Sequence, residues 1–407
     1  MLLSEGWMFT RGGWNMNRGD LISARWFAVA LMAGACFLLS AAGLPVLGGG
    51  SAAAATVKLT DLGTLGGTTS SATAINQFGR VVGAAYTAGG AQHAFSWTAG
   101  GGMVDLGTLG GPFSYATAVS NAGQVVGEAQ TAGSSDVHAF SWRVKQGMID
   151  LGTLGGPLSI AYAVNDSGQV VGSADIPGGA EHAFSWTAAG GMVDLGTLGG
   201  AFSDAFAVNR YGQVVGSAFT ASGDQHAFSW TAATGMVDLG TLGGQFSDTG
   251  AVSDTGRVVG AATTAGGDVH AFSWTASRGI ADLGTLGGSY GSAASVSAGR
   301  VVGQATTASG SLHAFMSTAR GGMLDLGTLG GDFSQATMVN SKGRVVGFAA
   351  TARQDQRAFS WTAAGGMVDL GTLGGPTSEA AAVNDDGQVV GNAETARSQQ
   401  HAFLVTL

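Results

Sequence analysis

The heptapeptide Asp-Leu-Gly-Thr-Leu-Gly-Gly occurs eight times in this chain, and its regular spacing is the feature that most limits how the chain can fold. Successive copies begin 44, 45, 44, 44, 44, 43 and 44 residues apart. A period of this length indicates one supersecondary unit that is repeated around a ring or along a rod. The copies begin at Asp61, Asp105, Asp150, Asp194, Asp238, Asp282, Asp325 and Asp369.

Each repeat contains short apolar or alternating segments that are separated by glycine-rich turns, a pattern typical of β-strands. One residue is added between residues 127 and 138, and one is missing at residues 296–299. A strand register cannot absorb single-residue changes, so both positions must be turns. In the copy that starts at Asp150, the four predicted strands are 161–164, 169–174, 182–187 and 192–195.

Four antiparallel strands in about 44 residues are typical of a propeller blade. A rod would need polar capping repeats, but the last copy ends in the apolar segment 401–407. That copy lacks a fourth strand, and residues 56–62 form a spare one. The sequence therefore predicts an all-β chain, with one eight-bladed β-propeller over residues 56–407 that is closed by its N-terminal strand.

Residues 1–55 differ from the repeats and have the pattern of a secretory signal peptide. An uncharged run over residues 26–47 follows Arg18 and Arg25 and precedes the small residues 51–55. We expect cleavage, with Met16 as an alternative start, and hence an extracellular or cell-surface protein with no membrane insertion. An uncleaved membrane anchor is the alternative. Because Cys36 is the only cysteine, the mature chain would have no disulfides.

The repeated motifs His-Ala-Phe-Ser-Trp and Asp-Leu-Gly-Thr-Leu-Gly-Gly, with Asn-x-x-Gly-Gln-Val-Val-Gly between them, resemble the bacterial extracellular repeats of the HAF family. The resemblance covers about residues 57–407. It implies a secreted bacterial repeat protein and brings no known ligand or activity with it.

Seven histidines occupy one repeat position, where the remaining copy has Arg357. Equivalent positions of different blades point apart, so these side chains cannot converge on a metal ion. A hydrogen-bond donor at this position, paired with the aspartate twelve residues on, is the interpretation we favour over metal binding or catalysis. The eight repeated aspartates are too isolated for calcium and fit turn capping better. We expect no metal and no cofactor.

Nothing in the motifs requires catalysis. The match to Gly-x-Ser-x-Gly at residues 287–291 lacks the strand–turn–helix context that a nucleophile needs. The innermost strand is mostly alanine, threonine, serine and valine, whereas an active site needs several unlike groups in one place. A net charge of −9 and only three lysines also disfavour nucleic acid as a partner. We expect a non-catalytic monomer.

Function should lie where the copies differ, because packing makes them agree elsewhere. The start of strand one and the turn between strands two and three both vary, and both lie on one face of the predicted ring. Aromatic and acidic residues there would suit a glycan or a protein ligand. The alternatives are that the aromatics only plug the blades, or that a hydrolase or lyase acts on extracellular polysaccharide at the tunnel mouth. The candidate ligand-binding residues are Phe113, Phe202, Asp204, Phe246, Asp248, Tyr290, Phe333 and Glu379.

The sixth copy departs from the consensus twice, since Ser317 replaces the tryptophan and the turn near Ala298 is short. Its blade should therefore be the least protected against hydrogen exchange. Exchange measured by mass spectrometry would test this, and uniform protection around the ring would contradict it.

Overall fold

Residues 58–318 and 321–407 are described by a computed structural model, in which they contain 32 strands. The signal peptide expected over residues 1–55 lies outside the described residues. Within the described part of the chain, no helix is long and apolar enough to cross a membrane.

The strands follow one another in a regular series. The first sixteen are β1 (Thr60–Asp61), β2 (Gly66–Ile75), β3 (Val81–Thr87), β4 (Gln92–Thr98), β5 (Gly102–Asp105), β6 (Gly110–Val119), β7 (Val125–Thr131), β8 (Val137–Arg143), β9 (Gly147–Asp150), β10 (Ser159–Val164), β11 (Val170–Asp175), β12 (Glu181–Thr187), β13 (Gly191–Asp194), β14 (Gly199–Val208), β15 (Val214–Thr220) and β16 (Gln225–Thr231). The others are β17 (Gly235–Asp238), β18 (Gly243–Val252), β19 (Val258–Thr264), β20 (Val269–Thr275), β21 (Gly279–Gly284), β22 (Gly287–Ser297), β23 (Arg300–Thr307), β24 (Leu312–Thr318), β25 (Gly321–Asp325), β26 (Gly330–Val339), β27 (Val345–Thr351), β28 (Gln356–Thr362), β29 (Gly366–Gly371), β30 (Gly374–Val383), β31 (Gln388–Thr395) and β32 (Gln400–Thr406).

Strands that follow each other pair antiparallel in groups of four, from β2–β5 (sheet 1) to β26–β29 (sheet 7). In the last group, sheet 8, β1 pairs with β32 and supplies the fourth strand to β30–β32. Thr60 lies opposite Leu404, and Asp61 lies opposite Phe403. The prediction of an all-β propeller built from four-stranded repeats is confirmed.

The first strand of each sheet contacts the first strands of both neighbouring sheets, and β30 of sheet 8 contacts β2 of sheet 1. These eight inner strands therefore surround the axis of a closed ring. The residues that start them lie at one end of the axis, which we call the mouth. The turns between first and second strands lie at the opposite end.

The core lies between the sheets rather than inside any one of them. Phe140 of sheet 2 packs with Val82 of sheet 1, and Phe95 of sheet 1 packs with Val390 and Leu404 of sheet 8. The phenylalanine of the His-Ala-Phe motif is fully buried in every copy. Burying such a side chain contributes roughly 2–3 kcal/mol, which a single four-stranded sheet could not gain without its neighbours.

The glycine that follows Val-Val in each second strand is required by a close backbone approach. Inner strands shift register next to it, as between Ala205 and Ala207 in sheet 4. The shift brings a first-strand carbonyl oxygen to within 1.8–2.0 Å of where a Cβ atom would stand. The glycines are Gly83, Gly127, Gly172, Gly216, Gly260, Gly303, Gly347 and Gly391.

Neighbouring sheets are also joined by side-chain amides in the turns opposite the mouth. Asn165 Nδ2 donates to Asn209 O of the next sheet, and Asn340 Nδ2 donates to Asn384 O. Asn384 Nδ2 donates to Asn76 O and so links the last sheet to the first. Sheet 6 has a shorter turn without this asparagine, and in sheets 2 and 5 Ser120 and Ser253 take its place.

The short turn in sheet 6 also places a side chain in the left-handed region. Ala298 has φ of 47° and Gly299 has φ of 78°, the two positive angles of a type I′ hairpin turn. A residue other than glycine or asparagine in this conformation lowers the stability of the folded protein by about 1–2 kcal/mol.

Replacing Ala298 with Asn is therefore expected to stabilise the protein by about 1 kcal/mol, because asparagine favours this conformation. Chemical denaturation would measure the gain. The control is Ala122→Asn in the four-residue turn of sheet 2, where φ is not positive. An equal gain at both positions would show that turn conformation is not the cause.

Candidate ligand-binding mouth of the ring

The repeated histidines form side-chain pairs with the repeated aspartates. In seven copies His Nδ1 lies 2.8–3.0 Å from an aspartate oxygen, as in the pair of His182 and Asp194. His401 takes its partner, Asp61, from the strand that completes sheet 8. The aspartates also accept a hydrogen bond from the backbone N–H two residues on, as Asp194 does from Gly196. The pairing and the turn capping both follow the prediction.

Copy seven departs from this pattern. The guanidinium of Arg357 contacts Asp355, with Nη2 3.5 Å from Oδ2, rather than the aspartate of the fourth strand. The expected partner twelve residues on, Asp369, caps Gly371 N instead. Elsewhere in the described residues, no three histidine, aspartate or glutamate side chains are placed to hold a metal ion.

The five aromatic candidates occupy the same position on the inner strands of sheets 2 and 4–7, close to the mouth. Phe202 has 44% of its surface exposed, and its ring meets Phe219 edge-on at 6.1 Å. Phe333 is half-buried against Phe348, with ring centroids 5.6 Å apart. Phe113, Phe246 and Tyr290 are also half-buried. Phe202 therefore offers the largest free aromatic face, while Phe333 packs within its own sheet.

The acidic candidates lie two residues further along the inner strands. Burial raises the pKa of Glu379 to about 7, although hydrogen bonds from Asn392 and Gln356 oppose the shift. Burial likewise raises the pKa of Asp248 to about 6, against hydrogen bonds from Thr249 N and Ser217. Both carboxyl groups thus sit in surroundings that disfavour their charge.

Two tyrosines, Tyr115 and Tyr162, extend the acidic region beyond the predicted residues. Burial raises the pKa of Tyr115 to about 12, with further increases from the charges of Glu128 and Glu379. Glu379 lies on sheet 8 and Tyr115 on sheet 2, so this electrostatic interaction joins inner strands that are not neighbours in the ring. Burial, followed by the charges of Asp204 and Glu181, raises the pKa of Tyr162. Ser173 Oγ donates to Glu181 Oε1 at 2.6 Å and lies 3.3 Å from the Tyr162 hydroxyl.

We call this set of side chains the axial acidic cluster. The inner strands are mostly small residues, as the sequence indicates, and the second and third strands add acidic side chains to the region around them. Glu128 follows the Val-Val-Gly motif in β7, and Glu181 begins β12. The inner strands carry no lysine or arginine to neutralise the cluster. Its members are Tyr115, Glu128, Tyr162, Glu181, Asp204 and Glu379.

Comparison with known proteins identifies no family. No protein-family model matches the chain, and no curated protein matches it. Similar solved structures include a puromycin hydrolase, with 14% identity and a TM-score of 0.47, over 83% of this chain but only 58% of that one. Another is the β-propeller domain of the Trilobed protease from Pyrococcus furiosus, with 10% identity and a TM-score of 0.49, over 79% of this chain and 100% of that one.

A third is the BP39L lectin from Burkholderia pseudomallei, with 11% identity and a TM-score of 0.40, over 76% of this chain and 98% of that one. Likeness at this level says nothing about what the present chain binds or does. The assignment as a propeller rests on the strand pairing and on the ring of inner strands.

Proposed function

We propose that residues 56–407 are a secreted, monomeric binding or scaffold propeller that holds an extracellular glycan or protein at the mouth of the ring. One observation carries the proposal. The repeats agree at the residues that pack between sheets and differ at the inner-strand positions that face the axis. Aromatic and carboxyl side chains gather at those variable positions, and Phe202 among them keeps 44% of its surface exposed.

A glycan suits the chemistry of the mouth. Sugar rings stack on aromatic faces such as that of Phe202, and their hydroxyls donate to carboxylates such as Asp204 and Asp248. A protein with a basic patch would use the same carboxylates. No nucleic acid is expected, because the axial acidic cluster would repel phosphate.

A glycan array probed with the purified protein would test the proposal, followed by binding measurements on Phe202→Ala with Phe246→Ala, and on Asp204→Asn with Asp248→Asn. We expect saturable binding that both double variants weaken at least tenfold. Phe78→Ala is the control, because Phe78 is 80% exposed in a turn at the opposite end of the axis. Binding that all variants retain would refute a ligand at the mouth.

An alternative function is supported by the raised pKa of Glu379. A carboxyl group that stays protonated near neutral pH can act as a general acid on a glycosidic bond. A hydrolase or lyase of extracellular polysaccharide would lose turnover, rather than binding, in Asp248→Asn and Glu379→Gln. Assays of polysaccharide breakdown would separate the two functions.

The raised pKa of Glu379 also predicts how stability depends on pH. The folded protein holds the proton up to about pH 7, whereas an unfolded glutamate releases it near its ordinary value of 4.5. The stabilising contribution is therefore complete below pH 4.5 and is lost as the pH rises to 7.

Glu379→Gln should remove this loss. At pH 8 the variant should be more stable than the parent, by on the order of 2 kcal/mol, and at pH 4 the two should be equal. Denaturation midpoints across this pH range would measure the difference. A constant difference at all pH values would show that the carboxyl proton is not responsible.

A further inference from the structure

A second candidate site lies at the end of the axis opposite the mouth, between sheets 2 and 3. It is a pocket of about 680 Å³, formed by the turns of both sheets together with Arg80 from the corresponding turn of sheet 1. Three cationic side chains line it together with Trp186, and no carboxylate is among its lining residues. The cations are Arg80, Arg143 and Lys145.

This pocket exists because the second copy breaks the repeat. Residues 143–146 read Arg-Val-Lys-Gln where residues 187–190 of the next copy read Thr-Ala-Ala-Gly. The groove between sheets 3 and 4 is lined from corresponding positions, with Thr187 in place of Arg143 and Trp230 in place of Trp186. That groove has a volume of about 330 Å³ and no charged side chain. The pocket between sheets 2 and 3 is therefore about twice as large, and the substitutions at residues 143–146 supply two of its three cations, Arg143 and Lys145.

The two arginines are held in place by polar partners. Arg143 Nη2 donates to Gln124 Oε1 at 2.5 Å, and Gln124 is itself 2% exposed and donates to Ser141 Oγ at 2.8 Å. Arg80 Nη1 donates to Ser96 Oγ at 2.7 Å. All these partners are neutral. Among the described residues, Arg80, Arg143 and Lys145 form no ion pair with a carboxylate.

The described lining of the pocket thus offers three cations and an indole ring and no carboxylate, so an anion would meet opposite charge there. Arginine is well suited to carboxylate and other planar oxyanions, since its guanidinium offers paired donors. The indole and the exposed Val144 and Ile149 offer an apolar surface beside the charges. A ligand with a charged group on a ring would use both features.

We propose that the pocket between sheets 2 and 3 binds an anionic saccharide, with its oxyanion at Arg143 and Arg80 and its sugar ring against Trp186. The volume lies within the range of ligand pockets, roughly 300–1,000 Å³, and suits a short oligosaccharide. This site is separate from the mouth and does not depend on the function proposed there.

Isothermal titration calorimetry with the purified full chain would test the proposal, with trigalacturonate as the probe. The neutral trisaccharide of galactose and a hexaglutamate peptide would be compared with it. We expect saturable binding of trigalacturonate, and none of the other two at the same concentrations. The double variant Arg143→Thr with Lys145→Ala, which restores the repeat consensus, should weaken binding at least tenfold. Arg80→Gln, which introduces the residue that four of the other copies carry there, should weaken it severalfold.

The control removes two cations from the same end of the ring, through Arg278→Ala and Lys342→Ala, and should leave binding unchanged. Equal melting temperatures of the parent and the consensus variant would exclude unfolding as the cause of a loss. The proposal is overturned if trigalacturonate does not bind, if the neutral sugar or the peptide binds as tightly, or if the consensus variant keeps its affinity. Phe202→Ala should not alter this binding, which separates it from the mouth.

Discussion

Deleting residues 56–62 is expected to destabilise the protein far more than the loss of a terminal segment usually does. The deletion removes β1, and with it the pairing to β32 and the partner of His401. It also removes Leu59 and Leu62, which are buried in two different core clusters between sheets. Emptying such positions costs roughly 2–5 kcal/mol for each leucine, so the deletion should cost much of the stability of a typical domain.

The double substitution Leu59→Ala with Leu62→Ala tests the packing contribution without shortening the chain. Its unfolding free energy, measured by chemical denaturation, should fall by at least about 4 kcal/mol. Lys58→Ala is the matched control, because Lys58 precedes the strand and is exposed. If the deletion variant melts at the temperature of the parent, β1 does not stabilise the ring as the structure indicates.

Replacing Gly216 with alanine is expected to have the second largest effect. A Cβ atom there would stand 1.8 Å from Asp204 O and 2.8 Å from Phe228 Cε1. The backbone oxygen cannot move without breaking the register between β14 and β15, and Phe228 is fully buried. Overpacking a core lowers the free energy of unfolding by about 1–3 kcal/mol. Because the added Cβ would clash with the backbone, we expect Gly216→Ala to lose about 3 kcal/mol or more.

Gly100→Ala provides the comparison, since no atom lies within 4 Å of its added Cβ and its φ is not positive. Thermal denaturation of both variants would measure the difference. If Gly216→Ala lowers the melting temperature no more than Gly100→Ala does, the backbone of the inner strand can move at the register shift to make room for the Cβ atom.

The fold could be predicted because differences in length between the copies indicate where the turns lie. A single-residue change at residues 296–299 marked one turn, and the structure shows a two-residue hairpin there, with Ala298 at positive φ. The missing fourth strand of the last copy indicated that residues 56–62 complete it. The register shift in the inner strands could not be predicted in this way. Every copy has the shift, so a comparison of the copies shows no difference in length or residue type that would indicate it.

Residues of the candidate site could be predicted from the sequence only where the copies differ at the start of the first strand. Asp204, Asp248 and Glu379 were found from differences at the start of strand one. Glu128 and Glu181 were missed, since they lie on other strands and approach the axis only once the sheet is folded. Arg143 and Lys145 were also missed, although comparing residues 143–146 with 187–190 would have revealed them.

The uniform contacts between neighbouring sheets have a consequence for how such a chain can change over time. Each sheet meets the next through the same buried phenylalanine and valine positions, so one copy can take the place of another. Exchange of one whole copy for another would keep the packing at the junctions, whereas a change in the number of copies would alter the angle at which neighbouring sheets meet in the closed ring. A single copy can likewise acquire new residues at its turns, as the second has at Arg143, without disturbing the others.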